Sequence, residues 1–119
     1  MAGNDLDKPF ERVRTLAEAA GLPRLEIGTS YGTPALKVGG KSFCRMKDAA
    51  TLVLLMPLEQ KELLMEAAPE IYFETPHYSG WPAVLVSLGV IDDTELGVRL
   101  VEAWRLKAPK RLGASFRAS

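Results

Sequence analysis

Four cations, Lys37, Lys41, Arg45 and Lys47, fall between Ile27 and Lys47 with no carboxylate among them, although the whole chain balances fifteen Lys plus Arg with fifteen Asp plus Glu. Side chains of a strand alternate faces at a period of two, so the spacing of Lys41, Phe43, Arg45 and Lys47 predicts one row in which basic groups flank an aromatic ring. Such a row tracks a phosphate backbone and stacks on a base, each phosphate contact adding a salt-dependent increment of affinity. Read as structure alone, the same row turns Phe43 into the core and leaves the charges to protect a sheet edge from unwanted pairing.

A second constellation centres on His77, the only histidine, which stands among Pro76, Tyr78 and Trp81 with Glu74 nearby. These residue types suit a planar ligand or a positioned general base. Catalysis normally needs a partner for the imidazole, and the chain offers no second histidine and no recognisable nucleophile motif. The expectation is therefore a structural imidazole that ties its loop to the sheet, with His77, Tyr78 and Trp81 as an alternative ligand-binding set and no enzymatic role. Cys44 is the only cysteine, which excludes an intramolecular disulfide and a multi-cysteine zinc site. The neighbouring Arg45 would favour its thiolate, whereas a place in a strand makes it a small core residue. Gly39-Gly40 is no phosphate loop, because neither a helix start nor a GxxxxGK pattern follows it.

These residues need a scaffold, and 119 residues are enough for one domain with its own core. Leu6, Phe10, Val13, Leu16, Ala17 and Ala20 recur at helical spacing, predicting a helix over about Asp7 to Ala20 that Gly21 and Pro23 end. A strand follows over Leu25 to Gly32. Ala35–Val38 and Lys41–Met46 flank Gly39-Gly40, whose freedom at positive φ suits a tight hairpin turn. Thr51–Met56 reads as a central strand. Pro57 fits the first turn of a helix continuing through Glu59 to Ala68, with Leu58, Leu63, Leu64 and Ala67 facing inward. Ile71–Phe73 and Ala83–Leu88 are two more strands around an irregular loop. A last helix, capped by Asp92, Asp93 or Thr94, runs to Pro109 with Leu96, Leu100, Val101 and Trp104 inward. The basic tail, Lys110 to Ser119, is expected to fray beyond an ordered core of about residues 7–109. Short links between strands imply an antiparallel sheet of five to six strands with the terminal helices on one face, a two-layer α+β domain. The acidic first residues do not form a signal peptide, and no apolar run approaches the ~18 residues that span a bilayer. A cytoplasmic protein without a membrane partner is expected.

Gly32-Thr-Pro34, Lys37-Val-Gly-Gly-Lys41, Pro76-His-Tyr78 and Trp104, in this order, make the chain resemble the MmcQ/YjbR family of small bacterial proteins from about Phe10 to Pro109. Many members look like Tyr-His followed by an Asn-Lys pair before a Trp, where this chain has His77-Tyr78-Ser79-Gly80-Trp81-Pro82, a subgroup variant. The resemblance implies a compact α+β fold similar to the bacterial frataxin-like proteins, and members commonly carry the description "DNA-binding". Lys37 and Lys41 are the basic residues of the matching motif; Arg45 and Lys47 join them from this sequence alone. The frataxin-like shape also raises iron, for which Asp5, Asp7, Glu11 and Glu18 would supply hard oxygen ligands. Lys8, Arg12 and Arg14 interrupt them, so a solvated helix face is expected there, with no metal and no cofactor. The combined expectation is a non-catalytic DNA-binding protein that uses Lys37, Lys41, Phe43, Arg45 and Lys47.

Overall fold

The computed structural model describes residues 6–117. Helix α1 (Asp7–Ala19) buries Phe10, Val13 and Ala17, the predicted stripe, and stops where Gly21 takes a φ of 74°, a conformation that glycine adopts without steric cost. Six strands follow as β1 (Glu26–Ser30), β2 (Thr33–Val38), β3 (Lys41–Asp48), β4 (Thr51–Leu55), β5 (Tyr72–Phe73) and β6 (Ala83–Ser87). Helix α2 (Leu58–Ala67) lies between β4 and β5, and helices α3 (Asp93–Lys107) and α4 (Lys110–Ser115) close the chain.

The sheet order is β1-β2-β3-β4-β6-β5, and every neighbouring pair is antiparallel. The α+β architecture expected from the short links is the one observed. β4 and β5 run in the same direction, because α2 carries the chain across and β6 then inserts between them. Gly39 and Gly40 both take positive φ, 59° and 76°, at the predicted hairpin turn.

Helices α1 and α3 pack on each other and on one face of the sheet. Leu36, Val38, Cys44, Met46, Leu52, Leu54, Val84 and Val86 point to them and form the main core with Leu96, Leu100 and Trp104. Asp92 caps α3 by accepting the amide of Glu95 at 2.8 Å, an interaction worth about 1 kcal/mol. The buried indole of Trp104 donates to the Pro23 carbonyl at 3.2 Å. Arg12 fastens α1 to the approach of α3, with Nε 2.7 Å from Asp93 and donors on the carbonyls of Leu88 and Ile91 at 2.5 and 2.7 Å.

Two expectations are corrected. On α2 the inward stripe is Lys61, Leu64, Met65 and Ala68, leaving Leu58, Leu63 and Ala67 exposed. The spacing is helical, but a lysine occupies its centre, so reading inward positions from apolarity alone rotates the helix wrongly. The tail does not fray through its first turns. It forms α4, Phe116 packs edge-on against Trp104 at 4.9 Å, and Arg105 donates to the carbonyls of Gly113 and Phe116 at 2.6 and 3.1 Å. Among the described residues no helix is long and apolar enough to cross a membrane.

Burial pushes the Cys44 thiol from 9.0 up to about 12, so the unfolded chain ionises it first. Its stabilising contribution is complete below pH 9 and is lost as pH rises toward 12. Burial, with the hydrogen bond to Glu95, likewise pushes the Tyr72 phenol up to about 12. Urea unfolding of the parent should therefore show stability falling from about pH 9 toward pH 12, and Cys44→Ala should lose less over the same interval. Equal losses in both proteins would refute the assignment to the thiol.

Candidate functional site

The sheet face turned away from α1 and α3 carries a small apolar patch, Val53, Ala83 and Leu85, bordered by Leu55, Phe73 and Tyr78. Beside it the β1–β2 turn and the 75–82 loop rise as two walls. They enclose a cleft of about 730 Å³ lined by residues that include Tyr31, Arg45, Lys47, His77, Tyr78 and Trp81. Among the described residues no carboxylate lines it. Two cations therefore face three exposed aromatic or imidazole rings without internal neutralisation.

Arg45 sits at the centre. It pairs with Ala35 on β2 and Val53 on β4, which aims it at the open face. Its guanidinium donates to the Tyr78 hydroxyl at 2.7 Å and lies 5.1 Å from the centre of the Tyr31 ring, a cation–π distance. Tyr31 and Gly32 form a two-residue turn at φ 52° and 79°. A bulky side chain is strained at positive φ, of order 1 kcal/mol, yet Tyr31 remains 90% exposed. The core gains nothing from that ring.

The opposite wall hangs on Lys61. Its side chain is fully buried, and its ammonium lies 2.8 Å from Glu74 Oε1 while donating to the carbonyls of Tyr78 and Trp81 at 2.7 and 2.9 Å. Three acceptors meet its three donors. The clasp spans a 3-10 turn at Pro76–Tyr78 and a Gly80 of φ 78°, and it leaves Trp81 61% exposed. His77 is also exposed, with its ring edge-on to Tyr78 at 4.9 Å.

A model of the family described as YjbR matches residues 20–106. The chain belongs to the YjbR family. A crystal structure of a Deinococcus radiodurans protein with a DUF419 domain shares the fold, at TM-score 0.68 and 21% identity over 82% of this chain and 76% of that one. Uncharacterized proteins of Mycobacterium bovis and Mycobacterium tuberculosis are 44% identical over 59 residues, 50% of this chain. The match spans about half the length of those relatives, 46%.

In this YjbR protein the basic row foreseen on β3 is broken by two irregularities. The register shifts between Leu36 and Lys37 opposite Phe43, and again at Lys47. An extra residue at a bulge cancels one alternation, so Phe43 follows Cys44 into the core and is fully buried. It cannot stack on a base. Lys41 pairs with Val38 at the turn, away from the cleft, and the Lys37 stem lies across Gly28. Arg45 and Lys47 alone of the basic set reach the cleft, where they meet His77, Tyr78 and Trp81. Two residues of the basic set and all three of the loop set thus line one cleft.

Among the described residues the side-chain hydrogen bonds that tie the loop to the rest of the fold are those of Lys61 and Tyr78, and His77 only packs edge-on against Tyr78. Tyr31 and Lys61 escaped the sequence reading. An aromatic immediately before a turn glycine, and a lysine at the helical spacing of buried positions, were the available signals. Cys44 is buried with its ionisation suppressed, so Arg45 does not activate it. Glu11 and Glu18 lie 3.5 and 3.8 Å from Arg14, and no three His, Cys, Asp or Glu converge among the described residues. Asp5 lies outside those residues.

Removing the clasp leaves Glu74 and two carbonyls without their shared donor, so Lys61→Met should cost about 3 kcal/mol in urea unfolding. His77→Ala should stay within about 0.5 kcal/mol of the parent. A destabilising His77 variant beside a neutral Lys61 variant would reverse the roles given to them.

Proposed function

We propose that this YjbR protein is a non-catalytic DNA-binding domain that takes the sugar-phosphate backbone at Arg45 and Lys47. One observation carries the reading: a concave site with two cations, exposed rings and, among the described residues, no carboxylate, in a chain of zero net charge. Neutral chains lack long-range attraction to a polyanion, so affinity must come from this local field. The Thr33 and Ser42 hydroxyls of the lining donate to the carbonyls of Ser30 and Cys44 rather than to His77, which supports binding rather than catalysis. A second reading, a small anionic ligand in the same cleft, is favoured by its volume, which falls in the range of small-molecule pockets.

Salt separates them. A nucleic-acid complex loses affinity steeply as salt rises, in proportion to the phosphates neutralised. Titrations of fluorescently labelled single- and double-stranded DNA at two salt concentrations should show this dependence. Lys47→Gln should weaken binding of every sequence alike by roughly tenfold at low salt and lower the salt slope by about one. Lys41→Gln, outside the cleft, should change affinity less than about twofold. Equal losses for both variants would move the interface to the hairpin tip, and no binding at low salt would remove the activity.

A further inference from the structure

The cleft has features that phosphate contacts alone leave unexplained. Phosphate neutralisation needs cations, yet Tyr31 is held almost wholly in solvent at a strained φ of 52° and Trp81 is 61% exposed across from it. Hydrophobic burial would hide both rings. Backbone strain kept at a position that contributes nothing to the core marks a residue retained for another use. The rings line the same concavity as the cations, and the cleft is concave on the scale of a small ligand, which a double helix can only touch at its rim.

We infer that the cleft admits an unpaired nucleotide of a single strand, whose base stacks on Tyr31 and Trp81 while Arg45 and Lys47 hold the adjoining phosphates. This rests on the nucleic-acid reading above and adds the strandedness and the mode of recognition. Stacking is sequence-tolerant, because every base has a π-face. Arg45 has a double part: the Tyr78 hydroxyl and the Tyr31 ring fix its guanidinium, so it braces the platform as well as meeting phosphate. The apolar floor of Val53, Leu55 and Ala83 suits the edge of a desolvated base. Within a duplex, pairing and stacking keep the base faces away from such a platform.

The two tryptophans provide a direct readout. Trp104 is fully buried and hydrogen-bonded to Pro23, whereas Trp81 stands in the cleft. Labelled oligothymidylate of about 12 nucleotides and a duplex of equal length should be compared by anisotropy and tryptophan fluorescence. The single strand should bind at least about tenfold more tightly and quench Trp81. Tyr31→Asn removes the ring while supplying a residue that tolerates the turn, and Trp81→Ala keeps the carbonyl that Lys61 needs. Each should lower single-strand affinity roughly tenfold with an unchanged salt slope, and Trp81→Phe should restore most of it. Duplex binding as tight as single-strand binding, or unchanged affinity in both ring variants, would overturn the inference while leaving the nucleic-acid reading intact. Absence of binding to either form would overturn both.

Discussion

The ammonium of Lys61 is the constraint on which the open face of this protein depends. An ammonium inside a protein gives up its hydration and persists only where other groups replace that hydration in full. Glu74 and the carbonyls of Tyr78 and Trp81 do so from three points on one irregular segment. Those points fix the segment's path, and α2 is held against β5 and β6 as the platform from which the lysine reaches them. Without this clasp the segment from Glu74 to Trp81 would rest beside the sheet mainly on Tyr78, since its regular structure is a single 3-10 turn and the rings of His77 and Trp81 face solvent.

The second wall is held by different physics. The turn at Tyr31-Gly32 needs positive φ at both residues to match the twist of β1 and β2, and Arg45 bridges from the sheet to both walls by touching the Tyr31 ring and the Tyr78 hydroxyl. Arg45 can do this because the bulge at Phe43 sends the two residues before it, Phe43 and Cys44, into the core. The bulge thus divides labour within one strand: apolar residues are buried below and a cation is presented above. Tyr78 has a similar double role, since its carbonyl serves Lys61, its hydroxyl serves Arg45 and its ring covers the patch at Val53 and Leu85. The cleft is therefore preorganised by the same contacts that close the small core on this face.

The helix-covered face follows simpler rules. Outside the bulge at Phe43 its strand residues alternate regularly, α1 and α3 show apolar stripes, α3 has its Asp92 cap, and the Trp104 indole and the Arg12 guanidinium find partners within the fold. A conventional layer of apolar packing on that side leaves the opposite face free to carry charge and exposed rings.

Local chemistry was enough to read the elements up to α3, though not α4. Helical stripes at Phe10, Val13 and Ala17, the Gly39-Gly40 turn and the Asp92 cap are each decided within a few residues, and short links make the sheet antiparallel. The family was legible too, because turn residues and basic positions lie close together in sequence. The site was legible only as separate parts: Lys47 and Arg45 in one segment, and His77, Tyr78 and Trp81 about thirty residues later. Their meeting depends on β6 inserting beside β4 and on a lysine whose partners lie on another element, neither of which leaves a periodic mark. The fate of Phe43 was hidden for a related reason, since a bulge is a property of two paired strands and a period of two assumes that none occurs. What neighbouring residues decide could be read along the chain; what distant residues decide by competing for burial and hydrogen bonds required the folded structure.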